Sequence, residues 1–220
     1  FDVAWIHDLD RLYFDQPTME SHLRDLAASG WRALEELRAS GQISAIGAGI
    51  NDLGLMPRFL DIGDIDAFLV AMPYTLLDQD VLDAEFPACL ERGVGFVIGA
   101  VFASGILAKG PVPGAKYAYA EPSAEMVEKT RRIAAVCERH GVPLAAAALQ
   151  FPLGHPAVAS VIPGASGPAQ QARNVEAFRT AIPDDLWTEL KHEGLLRDDA
   201  PVPADAVARP SAVPRPSVPG

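Results

Sequence analysis

The sequence predicts a parallel α/β fold, a sheet flanked by helices. Five short apolar runs, rich in aromatic and β-branched residues, alternate with stretches of helical periodicity along the chain. The chain has 220 residues, of which 49% are hydrophobic, so it can bury a substantial core in one domain or at most two. Strand and helix alternation of this kind indicates either a barrel or an open doubly wound sheet.

The first strand lies in the opening segment FDVAWIHDLD, residues 1–10, where an apolar run ends abruptly at His7 and Asp8. Catalytic groups in parallel α/β proteins occupy the carboxyl ends of strands, because the loops diverge there and leave a concave opening. His7 is therefore a candidate functional residue, and the alternative is a histidine that satisfies a hydrogen bond at a strand end. Asp8 and Asp10 could orient the imidazole or a sugar hydroxyl, although exposed loop acids are commoner.

The other elements follow from periodicity and from capping residues. The predicted strands are residues 43–48, 67–71, 94–98 and 158–162. Helices are predicted over residues 23–41, with Gly30 weakening the middle, and over 55–62, 81–91, 143–149 and 184–195. Two more begin after the cap Ser123 and at Pro168. Residues 11–20 and 108–122 are predicted loops, and the Pro-rich residues 197–220 are a predicted disordered tail.

Composition restricts the function. A net charge of -11 argues against nucleic acid and anionic membranes as partners and favours a small molecule. Cys89 and Cys137 lie in helical segments without metal-ligand or redox spacing, which predicts reduced core residues in a cytoplasmic protein without a metal. No apolar stretch is long enough to span a membrane. Because the chain begins in mid-strand without a Met, we expect an N-terminal portion to be missing.

Three stretches, in the right order, resemble the aldo/keto reductase family. The segment FDVAWIHDLD is similar to the fourth barrel strand of the family, which ends in an Ile-His pair. IGAGIND, residues 46–52, is similar to the fifth strand, and SVIPGASGPAQQARNVEAF, residues 160–178, is similar to the eighth-strand loop and helix. IHDLD and PYTLLDQ, residues 73–79, look most like the bacterial fucose-type and threo-aldose dehydrogenases and the pyridoxal dehydrogenase group.

The resemblance implies a (β/α)8 barrel of which residues 1–196 supply only strands 4 to 8. A complete barrel of this kind needs on the order of 250 residues, so the first three units are absent and two sheet edges are bare, which favours self-association. The implied reaction is hydride transfer between the nicotinamide of NAD or NADP and a sugar lactol or aldehyde carbon.

The resemblance also assigns the catalytic residues. His7 matches the family histidine that orients the substrate oxygen, whereas the family's Asp, Tyr and Lys precede the fourth strand and match no residue here. No tyrosine and lysine of this chain reproduce the family spacing; the tyrosines considered are Tyr13, Tyr74, Tyr117 and Tyr119. We therefore expect residues 1–220 alone to have no turnover.

Cofactor contacts follow from the same resemblance. Asn51 matches the asparagine that bonds the nicotinamide amide, although a turn-forming Asn is the alternative. A stacking tyrosine is replaced by Gly99, for which Phe102 is a weak substitute, and Ser104 and Gly105 are candidate pyrophosphate contacts through backbone amides.

The adenosine end of the cofactor is implied to lie on the eighth-strand loop. The candidate residues are Gly164, Ala165, Ser166, Gln170 and Asn174, of which Asn174 matches the adenine contact. Many NADP-dependent members carry a Lys and an Arg where this sequence has Gly164 and Gln170. Each lost charge-assisted contact is worth roughly 1.5 to 3 kcal/mol, so NAD is favoured, although Arg173 could still reach a phosphate.

Two other functions remain open from the sequence. The chain could be a non-catalytic half-barrel that binds a nucleotide or a partner chain. A more distant alternative is a glycine-rich open sheet that binds an unrelated phosphate ligand.

Overall fold

The computed structural model describes residues 1–203, which form a five-stranded sheet with helices packed against it. The strands are β1 Val3–His7, β2 Ala45–Ile50, β3 Ala67–Ala71, β4 Gly95–Gly99 and β5 Val158–Ile162. Each strand pairs in parallel with its neighbour in sequence. The predicted parallel α/β class is confirmed, and within the described residues β1 and β5 are the two edges of the sheet.

Helices occupy most of the connections between the strands. They are α1 Gln16–Asp25, α2 Trp31–Ala39, α3 Met56–Ile62, α4 Glu85–Glu91, α5 Ile106–Lys109, α6 Ala124–Arg139, α7 Leu144–Gln150, α8 Pro168–Arg179 and α9 Asp184–His192. Ser123 caps α6 as predicted, because its hydroxyl accepts a hydrogen bond from Met126 N at 3.2 Å. Among residues 1–203, none of the helices has the length and apolar character needed to cross a bilayer.

The predicted loop over residues 11–20 is wrong for residues 16–20, because α1 begins at Gln16. The Asp15 carboxylate caps this helix by accepting a hydrogen bond from Thr18 N at 2.9 Å. Pro17 lies in the first turn, where a missing N–H leaves no helical bond unmade. A π-helical turn, Leu26–Gly30, separates α1 from α2, in agreement with the predicted weak point at Gly30.

The core lies between the helices and one face of the sheet. Phe68, in the middle strand, is fully buried between Phe59 of α3 and Phe96 of β4, with ring centroids 6.1 and 6.0 Å apart. Alternate residues of β3 and β4 are buried, while those between them are only half-buried. The helices therefore cover one face of the sheet more completely than the other.

The start of the predicted disordered tail is instead packed on the domain. Ala200 and Val202 are buried, and the Tyr74 hydroxyl donates to Pro201 O at 3.2 Å. The Val202 backbone lies so close to Gly154 that a Cβ on this glycine would meet it at 2.4 Å. The prediction is thus wrong for residues 197–203, and its remaining part, residues 204–220, lies outside the described residues.

Candidate active site

The predicted site residues lie on one edge of the sheet. His7 ends β1, Asn51 follows β2, residues 100–105 follow β4, and Pro163 follows β5. All five strands are parallel, so these positions share the carboxyl edge. Because neighbouring strands are about 4.8 Å apart, the ends of β1 and β5 are separated by roughly 19 Å along this edge.

His7 projects from the end of β1 with its side chain 71% exposed. Its Nδ1 lies 3.0 Å from a carboxylate oxygen of Asp8, which favours a proton on that nitrogen and leaves Nε2 for another partner. His7 pairs with Gly49 across the strands, and a Cβ on Gly49 would lie 3.1 Å from the imidazole Cδ2. The glycine therefore makes room for the ring in this position.

Asp10 is fully buried, so the prediction that it is an exposed loop acid is wrong. One carboxylate oxygen accepts a hydrogen bond from Leu12 N at 2.8 Å, and the other accepts one from Asn51 N at 2.8 Å. The bond to Leu12 is a local Asx turn, which the sequence could have suggested. The bond to Asn51 joins the loop after β1 to the loop after β2.

A second polar contact joins the same two loops. The Arg11 guanidinium pairs with the Asp52 carboxylate, with Nη2 to Oδ1 at 2.6 Å. Asp52 Oδ1 also accepts a hydrogen bond from Gly54 N at 3.1 Å. The hydrogen bond from Arg11 lowers the pKa of Asp52 below its usual value. Sequence reasoning missed this pair, because the partners are far apart in the chain and follow no spacing pattern.

The loop after β4 holds three of the predicted cofactor contacts, Phe102, Ser104 and Gly105. Phe102 is only 8% exposed and belongs to the core, which leaves little of its ring for stacking on a nicotinamide. The Gly105 N–H, a predicted pyrophosphate donor, already donates to Phe102 O at 2.8 Å. The Ser104 hydroxyl accepts from Tyr119 N at 3.0 Å, so Ser104 anchors the long loop that follows.

Two lysines that the sequence analysis did not select lie beside this loop. Lys109 and Lys116 line a small cavity of about 130 Å³ together with Ser104 and Gly105. Both lysines are exposed. They bring positive charge to the part of the edge where the pyrophosphate was predicted, in a chain that is otherwise acidic.

The predicted adenosine end is an exposed turn at the start of α8. The N–H and the hydroxyl of Ser166 both donate to Gln170 Oε1, at 2.9 and 2.7 Å. The Asn174 side chain is largely buried and donates from Nδ2 to Gly164 O at 3.2 Å. Ala165 is exposed, and a Cβ on Gly164 would meet no atom within 4 Å. Hydrogen bonds within residues 164–174 thus hold the turn in place, and its surface is open to solvent. Such a turn at a helix N-terminus can accommodate one end of a nucleotide.

A groove of about 470 Å³ runs between β5 and α8. Its lining is mostly apolar and includes Val161 of β5 and Val175 and Phe178 of α8. Phe178 is 54% exposed. Asn174 lines the same groove, so the groove adjoins the turn that carries Gly164.

One tyrosine, Tyr117, does lie near a carboxylate and a lysine. Its hydroxyl donates to Asp78 Oδ1 at 2.6 Å, and Lys129 Nζ donates to Leu77 O at 2.9 Å. Burial, followed by the bond to Asp78, raises the pKa of Tyr117, which is the wrong direction for a proton donor near neutral pH. The cluster therefore fastens the long loop to the loop after β3. Tyr13, after β1, is 53% exposed.

Both cysteines are free and buried, as predicted. Burial raises the pKa of each thiol to about 11, so both are protonated and unreactive at neutral pH. Among residues 1–203, no group of three or more His, Cys, Asp or Glu side chains is arranged to hold a metal ion.

Comparison with known proteins identifies the class of protein. The aldo/keto reductase family model matches residues 4–192, and the chain belongs to this family, as the sequence resemblance predicted. The chain is 42% identical over 198 residues to pyridoxal 4-dehydrogenase of Microbacterium luteolum, with 89% of this chain and 57% of that protein covered. It is also 42% identical over 190 residues to D-threo-aldose 1-dehydrogenase of a Pseudomonas species, with coverage of 86% and 57%.

The chain thus spans a little over half the length of these two curated relatives. Among solved structures, it is similar to the holo form of aldo-keto reductase AKR11C1 from Bacillus halodurans, with a TM-score of 0.61 and 23% identity. That match covers 89% of this chain and 61% of the other. At this level of identity the structural likeness supports the fold alone.

Proposed function

We propose that the protein is an NAD(P)-dependent oxidoreductase that transfers a hydride between nicotinamide and a sugar lactol or aldehyde carbon. The single observation that carries the proposal is the shared edge. His7, Asn51 and the Gly164 turn occupy one carboxyl edge of a parallel sheet. In the same proposal, β1 to β5 are strands 4 to 8 of a (β/α)8 barrel. The names of the two 42% identical relatives, a pyridoxal and an aldose dehydrogenase, support the substrate class.

The residues of this chain would bind and orient the reactants. The Asn51 carboxamide would hold the nicotinamide amide, and His7 Nε2 would orient the substrate oxygen. The two lysines beside Ser104 would attract the pyrophosphate, and the turn from Gly164 to Asn174 would receive the adenosine. When bound, the nicotinamide supplies or accepts the hydride, and the protein contributes position and proton handling.

We propose that NAD binds at least as well as NADP. At the turn that would face the ribose, Gly164 carries no charge and Gln170 is already bonded to Ser166. Arg173 is exposed on α8. Fluorescence titration with NADH and NADPH measures the preference, and a strong preference of the unmodified protein for NADPH would contradict it.

A designed gain of function sharpens this test. Gly164→Lys adds a positive charge where a Cβ meets no atom within 4 Å, so the new side chain fits without strain. We expect NADPH affinity to rise about tenfold while NADH affinity is unchanged, because only NADPH carries the 2′-phosphate. Gly164→Gln is the matched control, because it adds a side chain of similar length without a charge, and it should leave both affinities unchanged.

We propose that residues 1–220 alone do not turn over, because no residue of this sequence matches the family's Asp, Tyr or Lys. The purified polypeptide should show no NAD⁺ reduction with aldoses or pyridoxal. Turnover by this polypeptide would contradict the assignment of strands 4 to 8. An in-frame upstream Asp, Tyr and Lys set would support the enzyme, whereas a genuine start codon near Phe1 would support the half-barrel alternative.

Two further properties are part of this proposal. The free, buried cysteines are compatible with a cytoplasmic, reducing location. The edge strands β1 and β5 would favour self-association of the described region through their unpaired backbone groups.

A further inference from the structure

Asp10 is a buried carboxylate that the proposed reaction does not use. It is completely inaccessible to solvent, and its two oxygens accept hydrogen bonds from backbone N–H groups alone, those of Leu12 and Asn51. A carboxylate in such a place is costly to bury, so its bonds must fix something that the fold requires or that the site requires.

The carboxylate joins the two strand ends that carry the proposed catalytic and nicotinamide contacts. Asp10 follows His7 by three residues, and Asn51 is the first residue after β2. Asp8, which lies between His7 and Asp10, has a left-handed φ of 57°. Its N–H donates a hydrogen bond to Gly49 O at 2.9 Å. The chain thus turns sharply after His7 and carries the Asp10 carboxylate to the end of β2. Because Asp8 also contacts the imidazole, the ring and the Asn51 backbone are tied through one short segment.

We propose that Asp10 is a positioning residue that sets the separation between the His7 imidazole and the Asn51 carboxamide. The inference rests on the proposed function, in which these two groups hold the substrate oxygen and the nicotinamide. Hydride transfer depends steeply on the distance between donor and acceptor, and a displacement of about 1 Å can cost about 100-fold in rate. Loss of the Asp10 bond would therefore slow the chemical step more than it weakens binding.

A second carboxylate, Asp66 just before β3, is bonded to the other end of β2 and provides the control. Asp66 Oδ2 accepts a hydrogen bond from Ile46 N at 2.8 Å, near the amino end of β2. The bond has the same length and the same donor type as the one from Asn51 N to Asp10, but it lies at the opposite edge of the sheet. Asp66 also pairs with Arg38 at 2.8 Å, away from the proposed site.

The test compares Asp10→Asn with Asp66→Asn in the enzyme expressed from its complete natural reading frame. Each variant is assayed for kcat, for the KM of NAD⁺ and of an aldose, for the primary deuterium isotope effect with C1-deuterated substrate, and for thermal unfolding. We expect Asp10→Asn to lower kcat about 10- to 100-fold and to raise the isotope effect, with KM changed less than threefold. Asp66→Asn should change only the unfolding temperature.

Every outcome decides the inference. If Asp10→Asn is folded and keeps kcat and the isotope effect, Asp10 is structural and the inference is wrong. If Asp10→Asn does not fold, Asp10→Ser replaces it, since a hydroxyl can accept one of the two hydrogen bonds. Failure of both variants to fold also overturns the positioning role. An unmodified enzyme without NAD(P)-dependent activity would instead overturn the proposed function itself.

Discussion

The two edges of the sheet differ in which residue types adopt a left-handed backbone conformation. On the amino edge, the loops that enter β2 and β4 turn at Gly41 and Gly93, with φ of 73° and 71°. On the carboxyl edge, the residues that immediately follow β1, β3 and β4 are Asp8, Met72 and Ala100, with φ of 57°, 61° and 51°. Glycine adopts these angles without steric cost, whereas a residue with a Cβ is strained by roughly 1 kcal/mol or more.

The turns of the amino edge are thus unstrained, whereas those of the carboxyl edge hold strained backbone that fixes the direction of the loops after the strands. On the amino edge, Asp66 holds the start of β2 and Arg38 together, and the Trp31 ring lies directly on Gly63. On the carboxyl edge, His7 is exposed and is held beside Asp8 at a strained residue. Strain of this kind persists where the surrounding structure enforces it, and it concentrates at functional sites.

The largest expected effect at the carboxyl edge is that of His7→Ala on activity. We expect kcat/KM to fall about 100-fold, because the substrate oxygen loses its orienting group. The free energy of unfolding should be unchanged, since the side chain is mostly exposed. Steady-state kinetics and urea unfolding of the natural full-length protein measure both. His192→Ala, an exposed histidine on α9, is the control, and equal kinetics for the two variants would remove His7 from the site.

A smaller effect is expected at the amino edge from Gly93→Ala. A Cβ here meets no atom within 4 Å, so the whole cost is the left-handed backbone, about 1 kcal/mol of stability. Urea unfolding measures this loss, and kcat should not change. Gly95→Ala is the matched control, because its Cβ would meet only ordinary contacts beyond 3.7 Å and its φ is not left-handed. Equal unfolding free energies of the two variants would contradict the claim that a Cβ at this left-handed position is strained.

The smallest expected effect concerns the Arg11 and Asp52 pair on the carboxyl edge. Arg11 lowers the pKa of Asp52 in the folded protein. The pair therefore contributes its stability above the unfolded carboxyl pKa, about 3.9, and loses it as the pH falls through the lower folded value. Arg11→Gln should raise the Asp52 pKa towards 3.9, as measured by NMR titration of the carboxyl carbon. Asp15 is the control, because hydrogen bonds from Thr18 lower its pKa. The pKa of Asp15 in the same spectra should not change.

The order and type of most elements could be predicted from the sequence. The exceptions are α1, whose first half lies in the predicted loop 11–20, and the short α5, which was not predicted. The β3 and β5 bounds agree with residues 67–71 and 158–162, and β2 and β4 are displaced by only one or two residues at each end. Apolar periodicity is a local property of the sequence, so it indicates strands and helices without knowledge of the fold. The two main errors have different causes. At residues 16–20 a local helix cap, Asp15 on Thr18, was not recognised. Residues 197–203 pack against distant segments of the chain.

The candidate site was predictable only in part. The positions of His7 and Asn51 at strand ends follow from the apolar runs before them, and the segment resemblance points to the turn at Gly164. The buried state of Asp10 does not follow, because its partner Asn51 is 41 residues away. The cavity beside Lys109 and Lys116 likewise depends on how the loop after β4 folds back.

By itself, the sequence determined a parallel α/β chain with its polar residues at the carboxyl ends of the strands, because side-chain periodicity and capping act over a few residues. Tertiary structure alone decided which of those polar residues are buried and bonded. The Asp10 carboxylate accepts a hydrogen bond from Asn51 N, 41 residues away. In the same way, the apolar Val202 packs against Gly154. Both contacts join segments that are distant in the chain. A carboxylate in a loop looks the same in sequence whether it faces water or a backbone N–H, and only packing distinguishes the two.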